Sequence, residues 1–78
     1  MDGAYIGEIR YFSGSFIPRG WYACDGELYP IEKNEALYSI IGPNHGGDSK
    51  TNFAVPKIDD LNGCRAIICR DGLYPPRP

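Results

Sequence analysis

One stretch constrains the fold of this chain more than any other: Pro18-Arg19-Gly20-Trp21-Tyr22-Ala23-Cys24-Asp25-Gly26. It carries the only tryptophan, set between a glycine turn signal and an Asp-Gly pair. Trp21 has more surface to bury than any other side chain here, so a small domain is expected to build its core on it. Asp25-Gly26 lies between Tyr22-Ala23-Cys24 and Leu28-Tyr29. That pattern predicts a β-hairpin, because both central positions of such a turn need positive φ. Gly20, Trp21, Asp25 and Gly26 are therefore read as structural anchors and not as an active site.

The length of 78 residues makes one domain, residues 1–78, near the lower limit for independent folding. A chain this short buries only about 60% of its unfolded surface, so help from disulfides, a metal or further copies is expected. Ten glycines and seven prolines are spread along the whole sequence, which indicates many turns and no linker. The net charge of −2 comes from interspersed acids and bases. No basic face of the kind that binds nucleic acid is visible. The amino terminus shows no basic start and no apolar core of a signal peptide, and no apolar run reaches the roughly 18 residues of a membrane span. Synthesis in the cytoplasm, without membrane insertion, is the expectation.

Tyr5 to Phe12 alternates as a strand, with Tyr5, Ile9 and Tyr11 on one face and Glu8 and Arg10 on the other. Gly7 inside it marks a bulge or a close backbone approach. The only convincing helix covers about residues 32 to 41. Its apolar stripe is Ala36, Leu37, Ile40 and Ile41, with Glu35 in the first turn and Gly42-Pro43 as the stop. That stripe is expected to lie against Trp21 and the first strand. Gly42 to Thr51 is a polar loop, and Asn52 to Pro56 is extended with Phe53 and Val55 on one face. Lys57 to Gly63 is read as a second loop, and Arg65 to Cys69 as a largely buried strand. Asp71-Gly72 predicts a second hairpin, because Cys69 to Pro75 echoes Cys24 to Pro30. Tyr74-Pro75-Pro76-Arg77-Pro78 favours a polyproline conformation. The fold class is α+β: short antiparallel hairpins packed on one helix.

The candidate chemistry is thin. Gly42 to Thr51 is no phosphate loop, since Ser49 stands where glycine must precede Lys50 and Pro43 removes an amide. Zinc binding would draw on Cys24, Cys64, Cys69 and His45, but no Cys-x-x-Cys pair exists; three reduced cysteines acting as small apolar residues are preferred, with a Cys24–Cys64 or Cys24–Cys69 bridge as the alternative on an extracellular particle. Cysteine catalysis would need His45 beside a thiol, and sugar hydrolysis two carboxylates across a cleft. Turn and capping roles already account for Asp25, Asp48, Asp71, Glu32 and Glu35. An enzyme is not expected, nor any cofactor or metal. Tyr5, Tyr11, Tyr22, Tyr29, Tyr38 and Tyr74 are more tyrosines than so small a core can hold; they are expected either at an interface, where tyrosine is favoured, or half-buried as the roof of a thin core.

Four stretches then combine. Tyr5 to Phe12, Pro18-Arg19-Gly20-Trp21 with Cys24-Asp25-Gly26, Asn34 to Gly42, and Gly46-Gly47-Asp48 leading to Phe53-Ala54-Val55-Pro56 together resemble the phage tail collar domain family. The similarity covers about residues 4 to 56, in the family's order; residues 1–56 form the matching part. After Pro56 the family's longer glycine-rich body is missing, and residues 57–78 supply a loop with a terminal strand and hairpin. The resemblance implies a structural part of a phage tail, fibre or baseplate, or of a contractile tail-like particle, assembled as a homotrimer, with no catalytic residues. It leaves Trp21, Gly20, Asp25, Gly26, Leu37, Ile40, Ile41 and Phe53 as structural anchors. A second expectation, from a different class, is a host-surface or glycan-binding module. Its contacts would be Asn44, His45, Asp48 and Lys50.

Overall fold

A computed structural model describes residues 3–76. Five strands and one helix follow in the order β1 (Ile9–Phe12), β2 (Trp21–Ala23), β3 (Leu28–Pro30), α1 (Glu35–Ile41), β4 (Asn52–Ala54) and β5 (Arg65–Cys69). They form two antiparallel sheets, one ordered β1-β5-β2 and the other β3-β4. This is a small α+β domain.

The last strand is the centre. Ala66, Ile67, Ile68 and Cys69 are all buried, as a strand covered on both faces must be. Because side chains alternate across a strand, Ala66 and Ile68 serve one core and Ile67 and Cys69 another. The first core contains Ile6, Cys24, Leu37, Phe53 and Val55, and Ala36, Ile40 and Ile41 pack on it. The second contains Ala4 and Trp21, flanked by Phe12 and Ile17. Trp21 is only 5% exposed, yet it lies across the sheet from the helix. The expected packing of the helix stripe on Trp21 is therefore corrected: the central strand separates them.

Neither Asp-Gly pair makes the predicted hairpin. Both long flanks of β5 are taken up, by β1 through Ile9↔Ile68 and by β2 through Trp21↔Cys69. Burial of the most apolar strand thus outcompetes the local turn preference. Asp25-Gly26 instead forms a corner between the two sheets. The Asp25 carboxylate accepts the Glu27 N–H at 3.0 Å, and Asp25 bridges Lys57. Tyr22 and Tyr29, on either side of the corner, stack with centroids 3.7 Å apart. At Asp71-Gly72 the chain turns and Leu73 pairs in parallel with Tyr5. The tight hairpin lies where a loop was expected: Leu61 and Cys64 exchange both backbone bonds at 2.9 Å. Asn62 and Gly63 between them have φ of 52° and 78°, the pattern of a two-residue primed turn.

Gly7 is the bulge its position suggested. Its N–H donates to Cys69 O while Cys69 N–H donates to Glu8 O, both at 2.9 Å, so two residues oppose one. Gly7 has a φ of 90°, and Ile40 packs so closely that a Cβ there would stand 2.9 Å from its Cγ2. The helix begins one turn late. Ile31–Lys33 form a 3-10 turn, and Asn34 interrupts it before Glu35–Ile41. Asn34 is buried and satisfied, accepting from Tyr22 Oη at 2.9 Å and donating to Pro30 O at 3.1 Å. Gly42 ends the helix at a φ of 65° with its N–H on Tyr38 O. Ile9 and Tyr11 do share a face, but they are 42% and 49% exposed. Of the polyproline segment, Arg77 and Pro78 lie outside the described residues.

Candidate functional site

The loop from Gly42 to Thr51 is the one segment for which contact residues are expected, and its shape is set by Asp48. One carboxylate oxygen accepts the backbone N–H groups of Lys50, Thr51 and Asn52 at 2.8, 2.8 and 3.1 Å. The other accepts the Thr51 hydroxyl at 2.8 Å. Asn52 Oδ1 returns the arrangement by accepting the Asp48 N–H at 2.9 Å. Three backbone donors, those of Lys50, Thr51 and Asn52 in that order, and then the Thr51 hydroxyl hold the Asp48 carboxyl far below the usual carboxylate range. Hydrogen bonds to the charged form favour it in this way.

The glycines before Asp48 have a matching reason. Gly47 sits at a φ of 92°, and a Cβ there would stand 2.7 Å from Phe53 Cα and 2.8 Å from Asn52 O. Only a residue without a side chain lets the loop lie down on β4. Gly46 O then accepts the Ala54 N–H at 3.1 Å. The run Gly46-Gly47-Asp48 is thus a self-contained loop fastener that ends in the buried Phe53.

This geometry separates the four expected contact residues. Asn44, His45, Asp48 and Lys50 are all exposed. Asp48 spends its carboxylate inside the loop. The Asn44 amide reaches back toward Ile41 O at 3.4 Å. His45 lies in the turn that follows the helix, and Lys50 faces a groove of about 350 Å³ with Thr51, Ile31, Glu32 and Glu35. Sequence reasoning missed Thr51 and Asn52 as partners of Asp48. The signal was an aspartate followed by three residues whose amides it can accept, as in an Asx turn.

The anchor residues divide as well. Leu37 and Phe53 are at 1% and 0% exposure, while Ile40 and Ile41 are half-buried beside them. Gly20 is buried at a φ of 86°, and its carbonyl accepts the N–H groups of Arg70 and Asp71. Asp25 and Gly26 hold the inter-sheet corner. A groove of about 420 Å³ opens beside it, lined by Asp25, Lys57, Asp59, Asp60 and Arg65 among others.

Two of the three thiols are poorly prepared for nucleophilic chemistry. Burial, and then the neighbouring Asp25, push the Cys24 thiol up to about 11, and burial pushes Cys69 up as well. The thiolate is the reactive form, so neither is prepared to attack. Among the described residues no group of three His, Cys, Asp or Glu side chains is placed to hold a metal ion. Among the described residues no helix is long and apolar enough to cross a membrane.

Neither a curated protein nor a solved structure matches the chain. A family profile, the Phage Tail Collar Domain, matches residues 7–62. That span runs from the bulge at Gly7, through Trp21, the Asp25-Gly26 corner, the helix and the Asp48 loop, to the Asn62 turn. The chain belongs to the phage tail collar domain family.

Proposed function

We propose that this protein is a non-enzymatic structural component of a phage tail or of a tail-like contractile particle, working as a collar module of a fibre or baseplate. Its role is to support assembly of the fibre or its attachment to the host, and it does so as a homotrimer in contact with other tail or baseplate proteins. Membership of the collar family supports the setting. The observation that carries assembly is the surface. Tyr5, Ile9, Tyr11, Phe16, Leu28, Leu61, Leu73 and Tyr74 are each at least 42% exposed, and none of the six tyrosines is buried. Ile9 and Tyr11 lie next to each other on one face of β1, and Tyr5 is the bridge partner of Leu73; exposed apolar groups mark contact surface where they adjoin in this way.

Strand β1 adds to this, because it is an edge strand. Glu8 O accepts from Cys69, so by the alternation of an antiparallel ladder the backbone groups of Ile9 and Tyr11 point outward. Immunogold labelling of particles with an antibody to this chain tests the setting: label along the tail is expected, and label absent from intact particles refutes it.

A second reading takes the Gly42–Thr51 loop as a host-surface or glycan-binding site, favoured by the groove in which Lys50 and Thr51 meet Glu32 and Glu35. With Asp48 occupied, Asn44, His45 and Lys50 are its available polar groups. A glycan array separates the readings. Binding that Lys50→Ala abolishes supports it, and no binding at high protein concentration removes it.

A further inference from the structure

The two ends of the described chain meet in one contact. Ile6 N–H donates to Leu73 O at 2.8 Å, and Leu73 N–H donates to Ala4 O at 2.9 Å, so Tyr5 and Leu73 are partners in a parallel bridge. Each side is fastened to the core behind it. Ala4 and Ile6 are buried, and the Gly7–Glu8 bulge ties that segment to Cys69. On the other side, Arg70 and Asp71 both donate to Gly20 O. Gly72 is pressed so close that a Cβ there would overlap Ala4 O.

Direction gives this contact its meaning. In a parallel pair, the chain before Ala4 departs from one end of the contact and the chain after Leu73 departs from the other. Tension entering through both ends therefore slides the two segments past each other. Both hydrogen bonds, and the burial of Ala4 and Ile6, must then fail together. Segments whose ends leave from the same side would unzip one bond at a time. We propose that the contact between Ala4–Ile6 and Gly72–Leu73 is a mechanical clasp, which keeps the domain closed when it is pulled through its two ends. This goes beyond the structural role proposed above and does not depend on which particle holds the protein.

Single-molecule force spectroscopy on the full chain tests it. One set of handles is attached at the two ends, and a second set at the exposed Glu32 and Asp59, whose connecting chain bypasses the clasp. Gly72→Ala forces a Cβ against Ala4 O. It is expected to shorten the lifetime at constant force about fivefold under end tension, the fold-change of losing one backbone hydrogen bond of about 1 kcal/mol. Lifetimes with the second handles should stay unchanged. Equal shortening in both geometries would mean general destabilisation and overturn the clasp. If Gly72→Ala does not fold, Leu73→Pro decides: it removes the N–H that donates to Ala4 O at an exposed position. Its lifetime under end tension should shorten about fivefold, again the loss of one backbone hydrogen bond, and an unchanged lifetime, or equal shortening with the second handles, would refute the proposal.

Discussion

The separation of the core into two halves by β5 makes a quantitative prediction about coupling. Trp21 sits with Ala4, Ile67 and Cys69, while Leu37 sits with Phe53, Val55 and Ile68; the two groups share no packing partner. Consider Trp21→Phe, Leu37→Val and Phe53→Leu. Each removes one or a few carbons from a site at most 5% exposed. At about 0.8 kcal/mol per buried methylene plus a cavity term, each should cost roughly 1–3 kcal/mol. A domain of this length has a total stability of roughly 4–12 kcal/mol, so single variants remain folded and pairs are still measurable. Urea denaturation at one fixed protein concentration is the assay, since self-association would otherwise shift the midpoint. With m near 1 kcal/mol/M, each substitution moves the midpoint by about 1–3 M. Trp21→Phe combined with Leu37→Val should be additive within about 0.5 kcal/mol. Leu37→Val with Phe53→Leu should show a coupling of about 0.5–3 kcal/mol, as neighbours in one cluster do. Coupling of Trp21 to Leu37 as large as that of Phe53 to Leu37 would refute the two-sided core.

The loop and turns supply further tests. Asp48 has its carboxyl held low in the folded state, so its contribution is complete above the unfolded value of about 4 and is lost as pH falls through the folded one. The protection factors of the Lys50, Thr51 and Asn52 amides should therefore fall on the acid side of pH ~4, and in Asp48→Ala, which removes the oxygen that accepts all three, they should be low already at neutral pH. Gly63→Ala should cost about 1–2 kcal/mol by urea melt from left-handed strain alone, because nothing lies within 4 Å of the added Cβ. Gly47→Ala adds a clash with Phe53 Cα and Asn52 O and should cost more than Gly63→Ala in the same assay. In thiol labelling of the native protein, the half-buried Cys64 should react well before the buried Cys24 and Cys69.

What could be read from the residues followed the physics each signal reports. The Leu37-Ile40-Ile41 stripe and the Gly42 stop are local, and the helix formed there. Arg65 to Cys69 was legible as a buried strand because an apolar run of that length has few other uses. Its partners were not legible: Asp25-Gly26 and Asp71-Gly72 look like hairpins locally, and only the need to flank β5 on both edges overrides them. Asn62-Gly63 is as strong a turn signal, but the polar residues around it, Lys57 to Gly63, have the composition of a loop. The side of the sheet taken by Trp21 depends on which strand becomes central, a long-range property that no window of sequence contains. At the loop, Gly46-Gly47-Asp48 was visible as a motif, but its role was not. The bonds from Lys50, Thr51 and Asn52 turn Asp48 inward and leave Asn44, His45 and Lys50 facing solvent.

The proposal that this collar-family domain works in assembly rests on its exposed apolar surface, and its mass in solution tests that most directly. Sedimentation equilibrium of the purified chain at micromolar concentration should give three times the 8.7 kDa of one chain, and Tyr11→Lys with Ile9→Lys should reduce that mass while leaving the urea midpoint of the dissociated chain intact. A well-folded species at the mass of a single chain, unchanged by concentration, would contradict self-assembly.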